Sequence, residues 1–224
     1  MNEHDEPDRG HVEPGGPTLT RAAALEGGGI AVRKLSVGPM DNNCYVLVDQ
    51  ATERALLIDA ADDAGRILRD LDDVRVDAIV TTHGHADHWQ ALDAVAARTG
   101  ASAHLHPADA PMVPRAADVE LEHGMAIPFG EASVTVLHTP GHTPGSVCVL
   151  LEGPEPWLFT GDTLFPGGPG GTFGDAGAFA QIMRALRERV FALPDETRVC
   201  PGHGDDTTLG AERPHLDEWE ARGW

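Results

Sequence analysis

Three histidines and an aspartate fall within six residues at Thr82-His83-Gly84-His85-Ala86-Asp87-His88, where an apolar run that begins at Val76 ends. Imidazole nitrogen and carboxylate oxygen suit Zn²⁺, Fe and Mn²⁺. Residues two apart on an extended backbone point the same way. His83 and His85 can therefore grip one ion, and Asp87 and His88 are placed to reach a second. A pair of ions needs further ligands, and three candidates follow apolar, strand-like runs: His142 within Thr139-Pro140-Gly141-His142-Thr143-Pro144-Gly145, Asp162 within Phe159-Thr160-Gly161-Asp162-Thr163, and His203 within Pro201-Gly202-His203-Gly204. Glycine beside each lets the backbone turn tightly and approach a ligand. Any one of these would pass as an ordinary loop residue; together with the HxHxDH cluster they indicate metal chemistry.

The elements that must position these residues are legible in the apolar pattern. Short apolar runs predict strands at Ile30–Val37, Cys44–Val48, Arg54–Asp59, Val76–Thr82, Ser102–His106, Glu131–Leu137, Ser146–Leu151, Pro156–Phe159 and Thr197–Cys200. Helical spacing appears over Asp62–Leu71, after Trp89, and most clearly in Phe179, Ile182, Met183, Leu186 and Val190. A last helix is expected from about Ala211 to Trp219. A loop with seven glycines spans 161–177. Roughly the first 20 residues, acidic and rich in proline and glycine, read as a disordered tail. Residues 21–224 read as one domain, since no linker interrupts them.

Composition narrows the class. The 224 residues carry 36 Asp and Glu against 16 Lys and Arg, a formal net charge of −20. Such a surface repels phosphate backbones and anionic lipid, so neither nucleic acid nor a membrane is an expected partner. No apolar run reaches the ~20 residues of a spanning helix. The N-terminus lacks a signal-peptide pattern, which makes the expected address cytoplasmic. Three widely spaced cysteines, Cys44, Cys148 and Cys200, imply buried apolar residues, not a disulfide framework.

Other residues near the motifs carry weaker signals. Trp89 is either core or pocket wall. His138 is a candidate pocket residue, and Phe165 and Phe173 are candidates to touch a substrate. His104 and His106 read as solvent-facing or supporting polar groups, not as a third metal site. His4, His11, His123 and His215 read as surface.

The motifs THGHADH (82–88), TPGHTPGS (139–146), FTGDTLF (159–165) and PGHG (201–204), with Asp59 closing an early strand, make the chain resemble the metallo-β-lactamase superfamily, in its glyoxalase II-like (hydroxyacylglutathione hydrolase-like) branch. The resemblance covers about residues 30–210. It implies an α/β fold, a four-layer αββα sandwich. It assigns His83, His85 and His142 to one metal, Asp87, His88 and His203 to a second, Asp162 to a bridge, and Asp59 to orienting the ligand loop. The implied cofactors are two divalent ions, zinc first, with Fe or Mn as alternatives. Two ions ~3.5–4 Å apart bring a shared water to near-neutral pKa; the hydroxide would attack a carbonyl, with Asp87 steering it or accepting a proton. A small-molecule thioester is the expected substrate.

The sequence also departs from that branch. The stretch after Asp162, Phe165 to Phe173, lacks the Cys and Arg of the G-C-G-R-like segment usual there. The chain also stops at Trp224, with no match to the helical domain that helps bind glutathione. The expected preference is therefore for a small thioester over a glutathione conjugate, unless Arg184, Arg187 or Lys34 supplies the missing cation. A mononuclear-iron persulfide dioxygenase, a lactone or ester hydrolase, and a metal-binding protein without turnover remain rivals. The charge of −20 disfavours a nuclease. A true β-lactamase is disfavoured by the absent export signal and by Asp162, where the best-known β-lactamases place Cys.

Overall fold

The computed structural model describes residues 9–25 and 28–223. Strands β1 (Leu19–Leu25), β2 (Gly28–Val37), β3 (Asn42–Asp49) and β4 (Arg54–Ile58) run antiparallel. After helix α1 (Ala64–Asp70), β5 (Arg75–Val80) pairs parallel with β4. Helix α2 (Leu92–Thr99) leads to β6 (Ser102–Leu105) and the short β7 (Val119–Glu120), which complete a seven-stranded sheet in sequence order. The second sheet is built from β8 (Ala126–Phe129), β9 (Ala132–His138), β10 (Val147–Leu151) and β11 (Trp157–Gly161). A small hairpin, β12 (Leu164–Phe165) and β13 (Gly168–Pro169), precedes helix α3 (Ala176–Ala185), which widens into a π-type turn through Val190. Then β14 (Arg198–Pro201) joins β11 in parallel, and β15 (Thr207–Thr208) forms the edge. The chain ends in α4 (Leu209–Glu212) and α5 (Leu216–Arg222).

Strand alternation sorts the apolar side chains into three layers. In β3, Cys44, Val46 and Val48 face α1 and α2, while Tyr45 and Leu47 face the other sheet. In β10, Val147, Val149 and Leu151 meet that inter-sheet core, and Cys148 and Leu150 turn toward α3 and α5. Strands buried on both faces give continuous apolar runs in the sequence. The result is the expected αββα sandwich. All three cysteines are buried and unpaired.

Several expectations change. The first 20 residues are not wholly a disordered tail: from Arg9 onward they are placed, Val12 is buried, and Leu19 opens β1. Residues 1–8 of that stretch, His4 among them, lie outside the described residues. Strand β1 is Ala-rich and lacks an intrinsic strand signature, so its state is decided by pairing along β2. Strand β8 has no strand signature in the sequence because Pro128 interrupts it, which an edge strand tolerates. The expected final helix is broken at Arg213–His215, where Pro214 has no N–H to donate.

Candidate metal centre

The predicted ligands leave the C-terminal ends of strands from both sheets. His83 to His88 follow β5, His142 follows β9, Asp162 directly follows β11, and His203 follows β14. A site at the carboxyl ends of parallel neighbours is a recurrent solution in open α/β sheets. Hydrogen bonds lock it: Val147 N–H donates to Thr82 O at 2.9 Å and Asn43 N–H to Gly202 O at 2.7 Å across the two sheets, and Gly202 N–H donates to Gly161 O at 2.8 Å within the second. Gly202 is required by close approach, because a Cβ there would run into Asp162 Oδ1 and the His88 ring.

All seven predicted ligand residues come together. Ligand atoms of His83, His85 and His142 form one compact group, those of Asp87, His88 and His203 another, and His83, His88 and Asp162 a third that overlaps both. His85 Nδ1 lies 3.1 Å from His83 Nε2 and 2.9 Å from His142 Nε2. His88 Nε2 lies 3.3 Å from His203 Nε2 and 3.5 Å from Asp87 Oδ2. Two ligands on one tetrahedral ion are about 3.3 Å apart, so both groups have the span of an ion's coordination shell. Asp162 stands between them, with Oδ1 3.4 Å from His88 and Oδ2 3.5 Å from His142 and 3.6 Å from His203.

Supporting contacts fix the imidazole tautomers. His88 Nδ1–H donates to Asp59 at 2.9 Å, His142 Nδ1–H to Gly171 O at 2.8 Å, and His203 Nδ1–H to Met40 O at 2.8 Å. Thr82 gives its hydroxyl proton to Asp59 at 2.8 Å, which leaves its oxygen to accept from His83 Nδ1 at 3.1 Å. Four Nε2 lone pairs are thereby aimed into the centre, an arrangement that suits a cation. Asp162 Oδ1 makes the same demand: it is buried and has no hydrogen-bond partner. The residues present fit divalent ions.

Electrostatics agree. Burial and neighbouring histidines push His83 and His85 below the ordinary imidazole pKa. Burial also opposes charge on His88, but Asp59, Asp162 and Asp87 outweigh it and raise the pKa to about 9. Burial would raise Asp162, yet His203, His88 and His83 hold it well below the usual carboxylate range. Without metal, a proton on His88 takes the place of the cation, and Asp162 raises the His203 pKa in the same sense.

The weaker candidates divide. Phe173 lies 5.9 Å from the His85 and His142 rings, and Phe165 lies 6.2 Å from His203. Both rings flank the centre. Trp89 packs against the core under α1 and α2, and its indole donates to Gly84 O at 2.8 Å, so it braces the ligand loop from the core side. His138 also turns away: its Nε2–H donates to Pro144 O and its ring stacks on His106 at 4.0 Å. His104 bonds Ser102 at 2.8 Å. Among the described residues, neither His104 nor His106 joins a group with metal-binding geometry. His11, His123 and His215 are exposed. Lys34 is not a pocket cation, since it is buried on Asp206 at 2.8 Å. Arg187 pairs with Asp217 and Glu220.

Two residues in the site carried no signal in the sequence. Asn42 donates to both the carbonyl and the carboxylate of Asp87 at 2.9 Å. Asp109, fully buried, accepts from Gly84 N–H at 2.8 Å and Thr143 Oγ1–H at 2.6 Å with one oxygen, and from Gly145 N–H at 2.7 Å with the other. It clasps the HxHxDH loop to the loop of His142.

A fold of this kind with two adjoining His/Asp groups defines a metallo-hydrolase architecture. The chain belongs to the metallo-β-lactamase superfamily, whose family model matches residues 37–203. It is 37% identical to the uncharacterized protein ML0493 of Mycobacterium leprae over 79% of this chain and 92% of that one. It is also 37% identical to a hydroxyacylglutathione hydrolase of Fuscovulum blasticum, over 73% of this chain and 62% of the relative. Among solved structures, it resembles the BLEG-1 B3 metallo-beta-lactamase (TM-score 0.76, 29% identity, 83% of this chain and 97% of that one). ETHE1 of Myxococcus xanthus superposes with TM-score 0.74, 33% identity and coverage of 83% and 82%. TTHA1623 in a di-iron-bound form gives TM-score 0.69, 32% identity and coverage of 80% and 96%.

Proposed function

We propose that the protein is a dinuclear metallo-hydrolase that cleaves a small acyl thioester in the manner of glyoxalase II. The observation that carries this reading is the sharing of Asp162 between two complete sets of donor atoms. In this reading His83, His85 and His142 hold one ion, Asp87, His88 and His203 hold the other, and Asp162 spans both. Two such ions would bring a water to near-neutral pKa and polarise the carbonyl under attack. Asp87, held by Asn42, is placed to accept the water's proton. Asp59 keeps His88 in the ligating tautomer.

The likeness to a hydroxyacylglutathione hydrolase supports a thioester, but that relative extends well beyond the matched region. The cleft of about 530 Å³ beside His142 is lined by neither lysine nor arginine among the described residues. That lining favours an uncharged thioester over a conjugate with several carboxylates. Zinc is the proposed metal. The di-iron form of a similar structure keeps iron as the alternative. Among the described residues, no helix is long and apolar enough to cross a membrane. Three unpaired cysteines accord with the proposed cytoplasmic address.

Metal content of protein purified without added metal, followed by turnover of S-lactoylglutathione, a neutral small thioester, lactones and persulfides, tests the reading. Two ions per chain with a thioester as the best substrate is the expected result. One iron with persulfide consumption would replace it. A glutathione conjugate favoured tenfold or more would remove the small-substrate preference.

A further inference from the structure

Among the described residues, three large hydrophobic side chains are exposed: Met40 at 53%, Met112 at 38% and Phe173 at 81%. Single exposed apolar residues are ordinary, but these three all border the metal centre. The Met40 carbonyl accepts from His203. Met112 lies over Gly84, between His83 and His85, where an added Cβ would meet its Cβ and Sδ. The Phe173 ring lies 5.9 Å from those of both His85 and His142, at the cleft that also includes Pro144 and Ala178.

The backbone at Phe173 makes its exposure more telling. Asp175 N–H donates to Thr172 O at 3.0 Å, closing a turn with Phe173 and Gly174 at its centre. Both central residues have positive φ, 55° and 80°. Turns of that form take Asn or Gly readily, and a bulky aromatic there is an outlier. The fold gains little burial from this ring, yet holds it in an unfavourable conformation beside two predicted metal ligands. Strain of that kind collects at functional sites.

We infer that Phe173 forms an apolar platform for the acyl arm of the substrate, so that the site takes acyl compounds with an uncharged hydrocarbon chain. The inference rests on the hydrolase reading for its position relative to the scissile carbonyl. The platform itself rests on the side chains. A methylene laid on it should strengthen binding by about two- to fourfold until the platform is covered.

Linear carboxylates from acetate to octanoate, titrated calorimetrically into the metal-loaded protein, read the platform without turnover. Neutral thioesters of the same acyl chains read the reaction. Wild-type affinity should rise with chain length, and in Phe173→Asn the rise should flatten. That variant should melt no lower than wild type, because Asn suits positive φ, so any loss is not a folding defect. Affinity independent of chain length in the wild type, or an unchanged slope in Phe173→Asn, would overturn the inference. Chain-dependent binding with no thioester turnover would uphold the platform and overturn the thioester reading alone.

Discussion

The Asp109 carboxylate accepts the backbone N–H of Gly84 at 2.8 Å across 25 residues of sequence, inside the loop that carries His83 and His85. Its other contacts, to Thr143 and Gly145, lie just after His142 in the same loop. One buried side chain therefore sets the separation of the two loops that supply His83, His85 and His142. Removing it strands two amides and a hydroxyl, at about 1–3 kcal/mol each.

Asp109→Ala should destabilise the fold by about 3 kcal/mol and weaken the His83, His85 and His142 group for metal by about 10- to 100-fold, the usual cost of losing a supporting contact. Chelator competition with metal counted per chain checks this. Retention of both ions at wild-type affinity would contradict it.

Asp162→Ala should release most of the metal and abolish nearly all turnover, a loss above ~3 kcal/mol of transition-state stabilisation. The fold should persist, because the three apolar layers are built without the ions. Metal analysis, circular dichroism and steady-state kinetics check the three parts. Activity within about tenfold of wild type would refute the role.

In metal-free protein the His88 pKa is raised from 6.5 to about 9. A group with a raised folded pKa contributes stability that is complete below the unfolded value and is lost as pH rises through the folded one. The chelated protein should therefore lose stability between pH 7 and about 9.5. Metal binding must also displace this proton. Zinc added in weak buffer should release about one proton from His88 at pH 7.5 and only about a quarter of one at pH 9.5. Equal proton release at both pH values would show that His88 is not a ligand.

Lys34, the chain's single lysine, donates to Asp206 at 2.8 Å and to Gly204 O at 2.6 Å, next to His203. Lys34→Met leaves a buried carboxylate with Arg21 at 2.8 Å as its near cation. Losing one partner of a buried pair costs about 3–5 kcal/mol; Arg21 should hold the loss near the lower figure. Urea unfolding measures it. A change under about 1 kcal/mol would show the pair to be dispensable.

The ligand set was legible because its grammar is local. HxHxDH depends on the period of an extended chain running into a turn, and the glycines beside His142, Asp162 and His203 mark loops that must come close to something. The double-sided apolar runs in β3, β4 and β10 likewise announce strands covered on both faces, and so the sandwich. Asp59 was legible only through its place in the family pattern. What the tertiary structure alone decided are relationships between distant residues. Asp109 reaches loops 25 and 34 residues away, Asn42 reaches Asp87 45 residues on, and Lys34 finds Asp206 172 residues on. No periodicity encodes such partners, since each depends on how two sheets and their loops pack. The same holds for β1, whose alanines carry no strand preference until β2 offers its edge, and for Trp89 and His138. They sit beside ligands in sequence, but packing and hydrogen bonds turn the first into the core and the second onto His106.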